Sequence, residues 1–89
     1  NFPPRISNTD VLEVEVGKSY PNLVTVHTTD PNGDPFYYYL EPGTAAGVSL
    51  NNATHVLSWN TVPDGFNLTI GVAASDEFVS TLWRPRIEL

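Results

Sequence analysis

The chain has 89 residues, with 4 basic and 10 acidic side chains and a net charge of −6. That length suits one domain over 1–89 and excludes multidomain enzymes, long solenoids and large barrels; so few cations exclude a basic stripe for nucleic acid or for an anionic membrane surface. Cysteine is absent, which excludes a disulfide framework, a thiolate zinc site and a cysteine nucleophile, and no apolar run approaches the roughly 20 residues of a membrane span.

The pattern then runs as short strands. Asn1-Phe2-Pro3-Pro4 is an extended lead-in, because proline fixes φ and restricts the residue before it. The chain starts at Asn1 and has no methionine, as expected of a piece cut from a longer protein. Val11 to Val16 alternates apolar and charged residues, predicting a half-buried strand with Leu12, Val14 and Val16 inward and Glu13 and Glu15 outward. Gly17-Lys18 turns the chain, and Leu23 to Thr28 is a β-branched strand. Asp30-Pro31-Asn32-Gly33-Asp34-Pro35 is the strongest break.

Phe36-Tyr37-Tyr38-Tyr39-Leu40 follows as a strand, with Phe36, Tyr38 and Leu40 inward and Tyr37 and Tyr39 on the outer face. Val48 to Leu50 is a short strand, Asn51-Asn52 a turn, and His55 to Trp59 another strand. After Pro63-Asp64-Gly65, the run from Phe66 to Ala74 places Phe66, Leu68, Ile70 and Val72 on one face and Asn67, Thr69, Gly71 and Ala73 on the other. A last strand lies within Val79 to Leu89, where Pro85 demotes part of it to an edge. Seven short strands separated by turn signals predict a seven-stranded antiparallel, immunoglobulin-like β-sandwich, with Trp59 and Trp83 anchoring its inner faces.

Several segments together resemble the cadherin-like repeats, in the broad sense that includes dystroglycan-type and immunoglobulin-like variants. They are Asn1 to Ile6, Thr28 to Tyr38, the pair Gly47 to Asn51 and Leu57 to Trp59, and Gly65 to Asp76. The resemblance covers nearly the whole chain. It implies a seven-stranded sandwich strung in tandem within an extracellular cell-surface or matrix protein. It also implies calcium at the junctions, with Asp30 and Asn32 as paired oxygen ligands, Glu15 as the glutamate ending the first strand, and Asp34 as a further oxygen. The sequence departs from the family where Val62-Pro63-Asp64-Gly65 replaces an acidic trio and where Arg84 to Leu89 replaces a ligand-rich exit. An isolated repeat would hold half a site. The same Asp30 to Asp34 segment also reads as a plain Asx-capped turn.

Asn52-Ala53-Thr54 and Asn67-Leu68-Thr69 are sequons, so Asn52 and Asn67 are candidate glycosylation sites. His27 and His55 stand on different strands outside any zinc spacing, and no G-x-S-x-G elbow or phosphate loop is present, so no catalytic residue is assigned. Outward Tyr37 and Tyr39 suit stacking on sugars, or ordinary cross-strand pairing.

The leading expectation is a non-enzymatic structural or adhesion module, possessing neighbouring modules of its own chain, protein ligands or glycans as partners. A carbohydrate-binding module is the alternative, and an accessory sandwich attached to an enzyme a third class.

Overall fold

The computed structural model describes residues 3–33, 35–65, 68–76 and 79–89. These residues form an all-β structure: β1 (Arg5–Ile6), β2 (Val11–Glu13), β3 (Tyr20–Thr25), β4 (Thr28–Thr29), β5 (Tyr37–Leu40), β6 (Val48–Leu50), β7 (Val56–Trp59), β8 (Val72–Ser75), β9 (Ser80–Trp83) and β10 (Arg86–Glu88). Ten strands stand where seven were expected. Short breaks between β1 and β2, β3 and β4, and β9 and β10 account for the difference. Pro85, which has no N–H for a ladder, lies in the last of them.

Two three-stranded antiparallel sheets, β3-β7-β6 and β5-β8-β9, make the body of the sandwich. β1 pairs with β4 antiparallel, and β2 pairs with β10 in parallel. Register then fixes two poles. At one, Arg5 lies opposite Thr29 and Tyr37 opposite Ser75, gathering the lead-in, the Asp30 loop and the β8–β9 turn. At the other, Glu13 lies opposite Glu88 and Tyr20 opposite Trp59. The molecule is 41 Å long and about half as wide, 22 × 20 Å.

Leu12, Val14, Val26, Tyr38, Leu57, Trp59, Val62, Ile70, Val72 and Ala74 form one buried cluster between the sheets. Each large side chain buried there contributes roughly 1.5–3 kcal/mol. Trp59 is fully buried, and its indole N–H donates to the Ala46 carbonyl at 3.0 Å, so no polar atom is stranded. Trp83 is the lesser of the two expected anchors: it is half-buried, on β9.

Four sequence expectations are corrected by tertiary context. Val16 is 46% exposed, not inward, because the chain turns at Glu15–Lys18 with Gly17 at φ 83°. Gly71 and Ala73 are buried although they were assigned outward: the Glu41 side chain lies over Gly71, and Ala73, on the central strand, sits between the larger Tyr39 and Leu82 of the strands along its two edges. The strand expected from Phe66 to Ala74 is formed over Val72–Ser75; Phe66 and Asn67 lie outside the described residues. β7 begins one residue later than expected, because His55 adopts a left-handed φ of 64°.

Candidate functional site

Of the expected calcium ligands, Asp30 and Asn32 stand apart from Glu15. Asp30 lies at the pole of the lead-in, where its carboxylate Oδ1 accepts the Asn32 N–H at 2.9 Å and its carbonyl accepts the Gly33 N–H at 3.0 Å. This is the Asx-capped turn that the residue types allow. Asn32 is exposed beside it, and Asp34 lies outside the described residues. Glu15 stands at the opposite pole, where a groove of about 350 Å³ runs between Glu13, Val14, Glu15, Tyr20, Glu88 and Leu89. The Glu15 N–H donates to the Tyr20 hydroxyl at 2.9 Å, leaving its carboxylate outside that bond. Among the described residues, no three His, Cys, Asp or Glu side chains gather closely enough to hold a metal ion. Calcium wants six to eight oxygens. Hard oxygens are present at each pole, but a full shell would need more than the described residues bring together there.

Asp76 is an acidic residue that sequence reasoning did not single out. It is 2% exposed, and its Oδ1 accepts the Val79 N–H at 2.9 Å, tying the β8–β9 turn at the same pole as Asp30. Its signal was available: a carboxylate directly after an apolar central strand.

The outer face of β5-β8-β9 carries the expected tyrosines. Tyr37 is 53% exposed and Tyr39 45%, with ring centroids 6.2 Å apart and planes tilted by 38°. Ala73 lies opposite Tyr39 on one side and Leu82 on the other, giving the face a low apolar floor. Beyond it, Arg84 grips Glu41 through two hydrogen bonds, Nε to Oε1 at 2.9 Å and Nη2 to Oε2 at 2.7 Å. The guanidinium holds the Glu41 carboxyl below its ordinary value, and the carboxylate raises Arg84 in turn. Glu41 crosses Gly71 to reach its partner: a Cβ on Gly71 would stand 2.7 Å from the Glu41 Cβ. The pair thus ties β5 to β9 across the central strand.

Inward, Tyr38 is buried, and its hydroxyl donates to Thr28 Oγ1 at 2.7 Å. Desolvation raises its pKa above the ordinary tyrosine value, partly opposed by the Thr28 bond. His55 stacks edge-on against Tyr38 with centroids 5.1 Å apart, so this histidine is a packing group. His27 is exposed, and its backbone N–H donates to Asn8 Oδ1 at 2.6 Å. Neither histidine takes part in a metal cluster among the described residues.

Of the two sequons, Asn52 lies in an exposed loop, yet its amide bonds to β5. Asn67 lies outside the described residues. The Thr69 hydroxyl donates to the Gly43 carbonyl at 3.2 Å.

No family model matches the chain, and no curated protein matches it in sequence. Solved structures do. Two crystal forms of the EC1-2 fragment of human protocadherin-24 superpose with TM-scores of 0.71 and 0.65, each at 17% identity over 99% of this chain. The chain spans 44% of that fragment. At such identity the likeness establishes the fold: a cadherin-like β-sandwich.

Proposed function

We propose that the chain is a single, non-catalytic structural module of an extracellular adhesion or matrix protein, set in tandem between neighbouring modules. The observation that carries this reading is the placement of its two ends. The lead-in and the exit lie at opposite poles of a 41 Å body, and β2, the second strand from the start, pairs in parallel with β10, the last. Tension from the two ends pulls those strands in opposite directions, so their hydrogen bonds share the load in shear. The Val14 N–H to Glu88 carbonyl bond, at 2.8 Å, extends the pairing by one more contact. Single-molecule pulling from the ends tests this: a tandem spacer ruptures in one high-force step, whereas gradual low-force extension contradicts it.

Calcium belongs to the same proposal as a junctional ion. Asp30 and Asn32 would offer oxygens to a module on one side, and Glu15 to a module on the other. The chemistry of these donors suits a hard cation. The thermal midpoint is measured in chelator and in millimolar calcium, for the wild type and Asp30→Ala. A rise that the variant loses supports calcium at that pole; no rise in the wild type counts against it.

The tyrosine face favours a second reading, carbohydrate binding. Two exposed rings side by side on the sheet face present stacking surfaces, and the Glu41–Arg84 pair leaves that end of the face without net charge. Binding on a glycan array that is lost in Tyr37→Ser and Tyr39→Ser variants would support it, and an empty array would remove it.

A further inference from the structure

β5 is an edge strand of its sheet, and an edge presents unpaired backbone groups. At Tyr38 those groups are closed by a side chain. The Tyr38 N–H donates to Asn52 Oδ1 at 2.7 Å, and Asn52 Nδ2 donates back to the Tyr38 carbonyl at 3.1 Å. The amide orientation is forced, because a backbone N–H only donates and a C=O only accepts. The loop that delivers Asn52 is itself held in place. Asn51 Oδ1 accepts the N–H groups of Ala53 and Thr54 at 2.7 and 3.1 Å, and His55, in its left-handed conformation, packs on Tyr38 and Phe36.

Asn52 is also the acceptor residue of a sequon. We propose that a glycan on Asn52 and a closed β5 edge exclude one another, so that occupancy of this sequon decides whether the edge is sealed. The chemistry is stereochemical. Glycosylation from a lipid-linked glycosyl pyrophosphate forms a bond between Nδ2 and the sugar's anomeric carbon. The anomeric C–O bond breaks, the lipid pyrophosphate leaves with the electron pair, and Nδ2 gives up a proton. One hydrogen remains on Nδ2. In a two-point contact with a single residue, the donating hydrogen lies on the same side of the amide as Oδ1. A trans amide puts its carbon substituent on that side and its remaining hydrogen on the other. The sugar therefore takes the place of the hydrogen that reaches the Tyr38 carbonyl. Keeping both would require the cis amide, which is strongly disfavoured for a secondary amide.

The 89-residue chain is made in a bacterial host and in a glycosylating secretory host, and occupancy at Asn52 is mapped by peptide mass. Exchange of the Tyr38 amide hydrogen is read by NMR, with Asn52→Ala as the open-edge reference and Thr54→Ala as a variant that removes the sequon but keeps the cap. Unmodified chain and Thr54→Ala protect Tyr38 equally, while Asn52→Ala exchanges about fivefold faster or more. Secreted chains either leave Asn52 empty with Tyr38 protected, or carry the sugar with Tyr38 exchanging like Asn52→Ala; both results support the proposal. A glycosylated Asn52 with Tyr38 still fully protected overturns it, as does an Asn52→Ala variant whose Tyr38 protection is unchanged.

Discussion

The two faces of the β5-β8-β9 sheet are built from neighbouring residues of nearly the same kind, yet they meet opposite fates. Tyr38 points inward and is 3% exposed, while Tyr37 and Tyr39, one step away on either side, are 53% and 45% exposed. The inner face is held by burial: Tyr38 packs in the core cluster with Val72 and Ala74, and its hydroxyl is satisfied by Thr28. The outer face is held by a surface ion pair, and by a glycine that leaves room for it. Burial contributes per side chain, whereas an exposed pair contributes little and is screened by salt. Stability should therefore reside inside, and the outer face should be free to serve recognition.

Tyr38→Ala tests this most severely. It should cost about 3–5 kcal/mol in denaturant unfolding, the range for truncating a buried aromatic. An equal loss from Tyr39→Ala would break the distinction between the faces. Gly71→Ala comes next, at about 1–3 kcal/mol, because the new methyl meets Glu41 at its Cβ as well as at its flexible carboxylate tip. That variant should also lose an acid response. The folded state holds the Glu41 carboxyl below its ordinary value, so the pair's stabilisation is present above that value and is lost as pH falls through the folded one. Melting curves from pH 7 down to 3 should show this slope in the wild type and less of it in Gly71→Ala.

Tyr38→Phe sharpens the comparison by removing only the hydroxyl, at about 0.5–1.5 kcal/mol. Burial raises the folded-state pKa of this phenol, so the fold keeps the proton longer than the unfolded chain does. Its contribution is present below the ordinary tyrosine value and is lost as pH rises past it; Tyr38→Phe should flatten that alkaline loss. The smallest effects belong outside: Tyr37→Ser and Tyr39→Ser should each stay within about 0.5 kcal/mol of wild type.

Much of this was legible in the sequence. Strict alternation through Phe36 to Leu40 assigns each tyrosine to its face, and the turn chemistry of Asp30 to Gly33 announces the Asx-capped turn that forms. Other features depend on partners distant in the chain. Gly71 and Ala73 are buried by side chains of the neighbouring segments, Glu41 over one and Tyr39 and Leu82 beside the other, a fact of strand order rather than of local pattern. Glu41 meets Arg84, and Asn52 meets Tyr38, only after the sheets assemble. The candidate calcium ligands were legible as residue types, but the separation of Asp30 and Asn32 from Glu15 depends on register.

The central claim is that load enters at one pole, leaves at the other, and is borne by β2 against β10. Native cysteine is absent, so attachment points can be introduced singly. One molecule is pulled between its two ends. A second is pulled between a Lys18→Cys handle and the chain end, both at the pole where Glu13 faces Glu88. The first geometry loads the parallel pair in shear and the second peels it bond by bond. The account predicts a clearly higher rupture force for end-to-end pulling; an equal or lower force would contradict it.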